Sequence, residues 1–141
     1  MRSTQTILVP VDGSDASTRA LEYAVDRVAM ADKGSLVVFN VQLGMPASRY
    51  VSREMIAEHQ HRLAGAALEA ARALLKRRKL EADVGVLIGD PAATIVKLAK
   101  RRGRSEIVMG SRGRGRVTGM LLGSVASKVI QLAPCPVTIV K

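Results

Sequence analysis

Residues Glu106–Ser124 read EIVMGSRGRGRVTGMLLGS. A short apolar run, EIVM, leads into a segment with five glycines and three arginines. Glycine loses more conformational freedom on folding than any other residue, so this density suits backbone that must turn or approach something closely. Downstream, SVASKVIQL has helical spacing from Ser124 to Leu132, and Pro134 and Pro136 stop it. The order is strand, glycine loop, helix. A helix N-terminus presents unpaired N–H groups and positive partial charge, which together suit a phosphate, and the Ser124 hydroxyl can add a donor.

The same alternation fills the rest of the chain. Thr6–Val11 (TILVPV) is an apolar run ending at Asp12-Gly13-Ser14, as expected for a strand buried on both faces of a parallel sheet. Pro10 lacks an N–H and belongs at the end of that strand or at an unpaired position. Ser14 or Asp15 caps a helix carrying Leu21, Ala24, Val25, Val28 and Ala29 as one stripe, closed by Gly34. Leu36–Val41 is the second strand. A loop through Gly44 and Pro46 leads to a helix from Ser52 to Arg78, with Met55, Ile56, Leu63, Ala67, Ala70, Ala71 and Leu74 expected on its apolar side. Val84–Ile88 is a third strand, Asp90-Pro91 opens a helix to Arg101, and Val137–Val140 is a fifth strand. A βαβαβαβαβ order forces right-handed crossovers and a parallel sheet covered by helices on both faces. Ligands bind such sheets at the C-terminal strand ends, near the switch in strand order. Asp12, Val41 and Gly110 each stand at such an end.

Composition narrows the function. The 141 residues fit a single domain, 1–141, with a sizeable core. Aromatic residues are only 2%, so the core is aliphatic. The net charge of +10 favours anionic partners such as nucleotides. Nucleic acid is disfavoured, because stacking aromatics are scarce and no helix-turn-helix or RNA-binding motif occurs. No run approaches the roughly 18 apolar residues of a spanning helix, so a membrane location is not expected. The lone Cys135 rules out an internal disulfide and suits a reducing cytoplasm. His59 and His61 are two apart on a helix and share no face, which argues against a metal pair.

The glycine loop is no Walker A sequence, and the dinucleotide fingerprint would belong on the first turn, where VDGSDAS stands. It fits G-x2-G-x9-G-[ST] through Gly110, Gly113, Gly123 and Ser124. With ILVPVDGSDAS, GDPAATI, LLGSVASKVI and APCPVTIVK, the whole chain resembles the universal stress protein family, in the subgroup whose members bind ATP. The resemblance implies an open five-stranded α/β sheet in the order 3-2-1-4-5, Rossmann-like and close to the adenine nucleotide alpha hydrolase arrangement. It implies Asp12 beside the ribose and phosphates, with room for a divalent metal, Mg or Mn, carried by the nucleotide. Pro10 and Val11 would line the crevice, and the Val41 backbone would meet the adenine edge. Met109, Gly110, Gly113, Gly123, Ser124 and Val125 would surround ribose and phosphates. A homodimer through Val137–Val140 is implied as well, and an exposed apolar edge strand independently asks for cover.

Two positions depart from the pattern. Ala126 lacks a hydroxyl that relatives often carry, and Glu106 stands for the usual Asp, a change expected to matter little. Arg112, Arg114 and Arg116 can offset the lost hydroxyl with charge. No general base or phosphoryl-stabilising lysine sits in a known motif, so no catalytic residue stands out. The expectation is an ATP-binding regulatory protein of the stress response. A slow ATP hydrolase, an adenylyl or phosphoryl transferase, and an AMP or cyclic AMP sensor remain open.

Overall fold

The computed structural model describes residues 5–31, 33–113 and 122–141. Arg114, Arg116 and Met120 lie outside the described residues. Five strands, β1 (Gln5–Pro10), β2 (Gly34–Gln42), β3 (Asp83–Ile88), β4 (Ser105–Gly110) and β5 (Val137–Val140), form one sheet in the order β3-β2-β1-β4-β5. Every pairing is parallel. Four helices, α1 (Asp15–Met30), α2 (Arg53–Arg78), α3 (Pro91–Arg102) and α4 (Ser124–Leu132), make the crossovers.

Side chains alternate across the sheet, so each strand feeds two cores. Ile7, Val9, Leu36, Val38 and Val108 pack with Leu21, Val25, Leu68 and Leu74 beneath α1 and α2. Leu8, Val37, Phe39, Ile107 and Met109 pack with Ile95 and Val129 beneath α3 and α4. Among the described residues no helix is long and apolar enough to cross a membrane.

Local chemistry explains three of the four helix starts. Ser14, Ser52 and Asp90 each accept a hydrogen bond from a first-turn N–H, and Pro91 occupies the first turn of α3. Two expectations need correction. Gly34 does not close α1; the helix ends at Met30 with Ala31 as its cap, and Gly34 begins β2. The buried face of α2 runs through Ile56, Ala64, Ala67, Leu68, Ala71, Leu74 and Leu75, whereas Met55, Leu63 and Ala70 are exposed. In a helix rich in Ala and Leu nearly every face carries apolar residues, and packing on β2 selects among them.

Glu106 is buried on β4 and holds four elements together. Arg27 of α1 pairs with its Oε1, Thr138 of β5 donates to the same oxygen at 3.2 Å, and Gln5 of β1 donates to Oε2 at 2.9 Å. The hydrogen bond to Glu106 raises the Arg27 pKa above its ordinary value. This carboxylate meets partners on β1, β5 and α1 at once.

The candidate nucleotide cleft

The two central strands part before they end. Pairing of β1 with β4 runs from Thr6↔Ser105 to Leu8↔Ile107 and stops, while β1 stays beside β2 to Pro10↔Phe39. The chain leaves β1 for α1 on one face of the sheet and β4 for α4 on the other, and a crevice opens between them. Pro10 sits at this fork. Val11 donates its N–H to Phe39 at 2.8 Å, so the nitrogen of Pro10 faces the opposite side, where β4 has already separated. The missing N–H falls where no ladder partner exists.

The crevice is a cleft of about 300 Å³. Pro10, Val11 and Asp12 enter it from β1, and Val41 from β2. Met109 and Gly110 come from β4, Arg112 and Gly113 from the loop after it, and Gly123, Ser124 and Val125 from the start of α4. Every candidate binding residue from the sequence thus lines one cavity. The sequence reading passed over Ser17, Asn40, Pro91, Ile95 and Ser111, which also line it. For Asn40 a signal existed: it is a polar residue inside the run LVVFNV, and such a residue in a central strand needs a partner.

The turn after β1 is wound by its own side chains. Gly13 takes φ +85°, a left-handed conformation that favours glycine. Asp12 Oδ1 accepts the Ser14 N–H at 2.9 Å, and Ser14 Oγ accepts the Ser17 N–H at 3.2 Å. Ser14 therefore caps α1, and the Asp12 carboxylate reaches towards the opposite wall near Gly113. On that wall, Ser111 donates its N–H to Val140 at 2.9 Å and accepts the Gly123 N–H at 2.7 Å. This clasp fixes the two ends of the glycine loop to each other. It also engages the Gly123 N–H, so that group is not among the free N–H groups of the helix start. The N-cap of α4 is Gly123, with no side-chain cap. Among the described residues, the first turn of α4 thus opens on the cleft with no side chain capping its positive partial charge.

Gly110 has a second duty. A Cβ there would stand 2.8 Å from the backbone carbonyl carbon of Ala16, so its absence lets α1 start close against β4. Ala126 is buried in the cleft wall. Arg112 is exposed at the rim. Among the described residues no group of three or more His, Cys, Asp or Glu is gathered to hold a metal ion. Among the described residues lining the cleft, Asp12 is the acidic one.

This is a doubly wound α/β protein whose cleft lies at the switch in strand order, with a helix N-terminus at one end. The sequence agrees with that class in detail. The chain belongs to the universal stress protein family, whose model matches residues 3–141. It is 34% identical to the universal stress protein YxiE of Bacillus subtilis, covering 96% of this chain and 97% of that one. Among solved structures it is similar to the universal stress protein UspA from Lactobacillus plantarum, with TM-score 0.77, 25% identity and full coverage of both chains. It is also similar to a universal stress protein crystallised in complex with cAMP, with TM-score 0.73, 27% identity and 97% coverage of each chain.

Proposed function

We propose that the chain binds ATP in this cleft and acts as a regulatory protein of the stress response rather than as a fast enzyme. The observation that carries the reading is the convergence of four separated segments on one cavity with two unlike ends. The end near Val11 and Val41 takes the adenine, and the end at Ser124 and Val125 takes the phosphates. Asp12 stands between them beside the ribose. The residues fit a nucleotide-borne divalent ion, Mg or Mn, better than a resident one. Asp12 would share such an ion with phosphate oxygens, since hard cations prefer oxygen ligands and keep several from substrate and water. The rim residue Arg112 favours the longer phosphate chain.

A second reading has a specific observation behind it. A relative of 27% identity was crystallised with cAMP, and Ala126 offers this chain no hydroxyl for a distal phosphate. The protein would then be a monophosphate sensor. Calorimetric titration with ATP, ADP, AMP and cyclic AMP at fixed salt and magnesium separates the two.

The proposal extends to assembly and place. β5 is an edge strand of the sheet, and a two-fold mate pairing along it would cover that edge in a homodimer. The one cysteine, Cys135, is a free thiol, as suits the cytoplasm.

A further inference from the structure

Successive residues of a parallel strand direct their N–H and C=O groups to opposite neighbours. On β2, Phe39 faces β1, because its carbonyl accepts the Val11 N–H at 2.8 Å. The Gln42 backbone faces β3, because its carbonyl accepts the Gly89 N–H at 2.9 Å. Val41 therefore faces the β1 side, and the next rung of the β1–β2 ladder would join the Val41 N–H to the Val11 carbonyl. Among the described residues that rung is not formed. The Val11 carbonyl accepts instead from Asn40 Nδ2 at 2.8 Å. Since a carbonyl cannot donate, Asn40 must turn its NH2 to Val11 and its oxygen to Gln42, whose Nε2 donates to Asn40 Oδ1 at 2.6 Å. Asn40 is 4% exposed, and both polar ends of its side chain are engaged.

We infer that Asn40 is a positioning residue for base recognition: by occupying the Val11 carbonyl it ends the ladder one rung early and leaves the Val41 N–H and C=O directed at the cleft. One residue then offers a donor and an acceptor side by side. That pair matches a purine edge with an acceptor ring nitrogen next to an amino group, as in adenine. Gln42 locks the orientation of the Asn40 carboxamide. The inference rests on the reading of the cleft as a nucleotide site, but its backbone part can be tested without nucleotide.

Asn40→Leu keeps the approximate shape and removes the donor. The freed Val11 carbonyl then takes the Val41 N–H. In nucleotide-free protein, hydrogen exchange read by NMR should slow at the Val41 amide at least about tenfold relative to wild type. ATP affinity should fall about tenfold to a hundredfold, as expected for one or two lost hydrogen bonds in a dry site. Inorganic tripolyphosphate, which has no base, should bind within about twofold of wild type. A merely structural role would weaken both ligands together. Gln42→Met releases the other end of the Asn40 carboxamide at a half-buried position. It should give a smaller change of the same pattern, and it carries both readouts if Asn40→Leu does not fold. A Val41 amide already protected in nucleotide-free wild type would overturn the inference, as would parallel losses for ATP and tripolyphosphate. If wild type bound neither ligand, the nucleotide reading itself would fail, and the exchange comparison would still judge the ladder.

Discussion

Asp12 and Gly113 meet across the cleft: Asp12 Oδ2 lies 2.5 Å from where a Cβ on Gly113 would stand. The turn after β1 and the loop after β4 thus approach each other here, and glycine leaves the carboxylate its place. Gly113→Val should push the Asp12 side chain aside and weaken ATP binding about tenfold or more, with the fold intact because the obstacle is the end of a side chain. Circular dichroism and calorimetric titration on one sample check both halves. Unchanged ATP affinity would mean that this position serves the turn alone.

Gly110 and Gly123 should respond differently. At Gly110 a Cβ would strike Ala16 backbone, which cannot swing away. Gly110→Ala should therefore cost about 1–3 kcal/mol of stability, the range for an overpacked core. Gly123 has φ −72°, and a Cβ there would lie 3.5 Å from the Arg112 Cα, an ordinary contact. Gly123→Ala should change stability by less than about 0.5 kcal/mol. Gly123→Val crowds the Arg112–Gly113 backbone and should lower ATP affinity without unfolding the protein. Urea unfolding of the two alanine variants side by side tests the contrast.

Glu106→Ala removes the carboxylate shared by Arg27, Thr138 and Gln5. Arg27 keeps access to water and Tyr23 remains under its guanidinium at 5.8 Å, so the loss is smaller than for a sealed ion pair. The expected cost is about 1–3 kcal/mol, read by urea denaturation. A variant as stable as wild type would reduce Glu106 to a bystander.

These contrasts mark what the chain's letters reveal and what they hide. Helix starts at Ser14, Ser52 and Asp90 are legible because a capping side chain is a local code. The strand order follows from the family resemblance, and the fork between β1 and β4 then places Asp12, Val41 and Gly110 together. The buried face of α2 is not legible, because its apolar residues outnumber the positions packing can use. Nor is the partner of Glu106, since contacts among β1, β4, β5 and α1 appear only in the assembled sheet. The reason for Gly110 is also tertiary: a loop glycine and a helix-packing glycine look alike in sequence.

The proposed dimer has a backbone test. The Ile107 N–H bonds the Pro136 carbonyl and the Ser111 N–H bonds the Val140 carbonyl, so Val137 and Ile139 turn their N–H groups outward from β4. Ile139→Pro removes one outward donor and leaves the β4 ladder its own. Light scattering at micromolar concentration should give twice the 15.0 kDa chain mass for wild type and about one chain mass for the variant. A monomeric wild type would count against the assembly.

The most direct measurement is the set of binding isotherms for ATP, ADP, AMP and cyclic AMP at one salt and magnesium concentration. On the proposed reading each added phosphate would meet the start of α4 and the rim at Arg112, and a hydrogen bond to a charged group contributes about 1.5–3 kcal/mol, against roughly 1 kcal/mol for a neutral hydroxyl missing at Ala126. Affinity should rise from AMP to ADP to ATP. Tightest binding of AMP or cyclic AMP would contradict the account and make the cleft a monophosphate site.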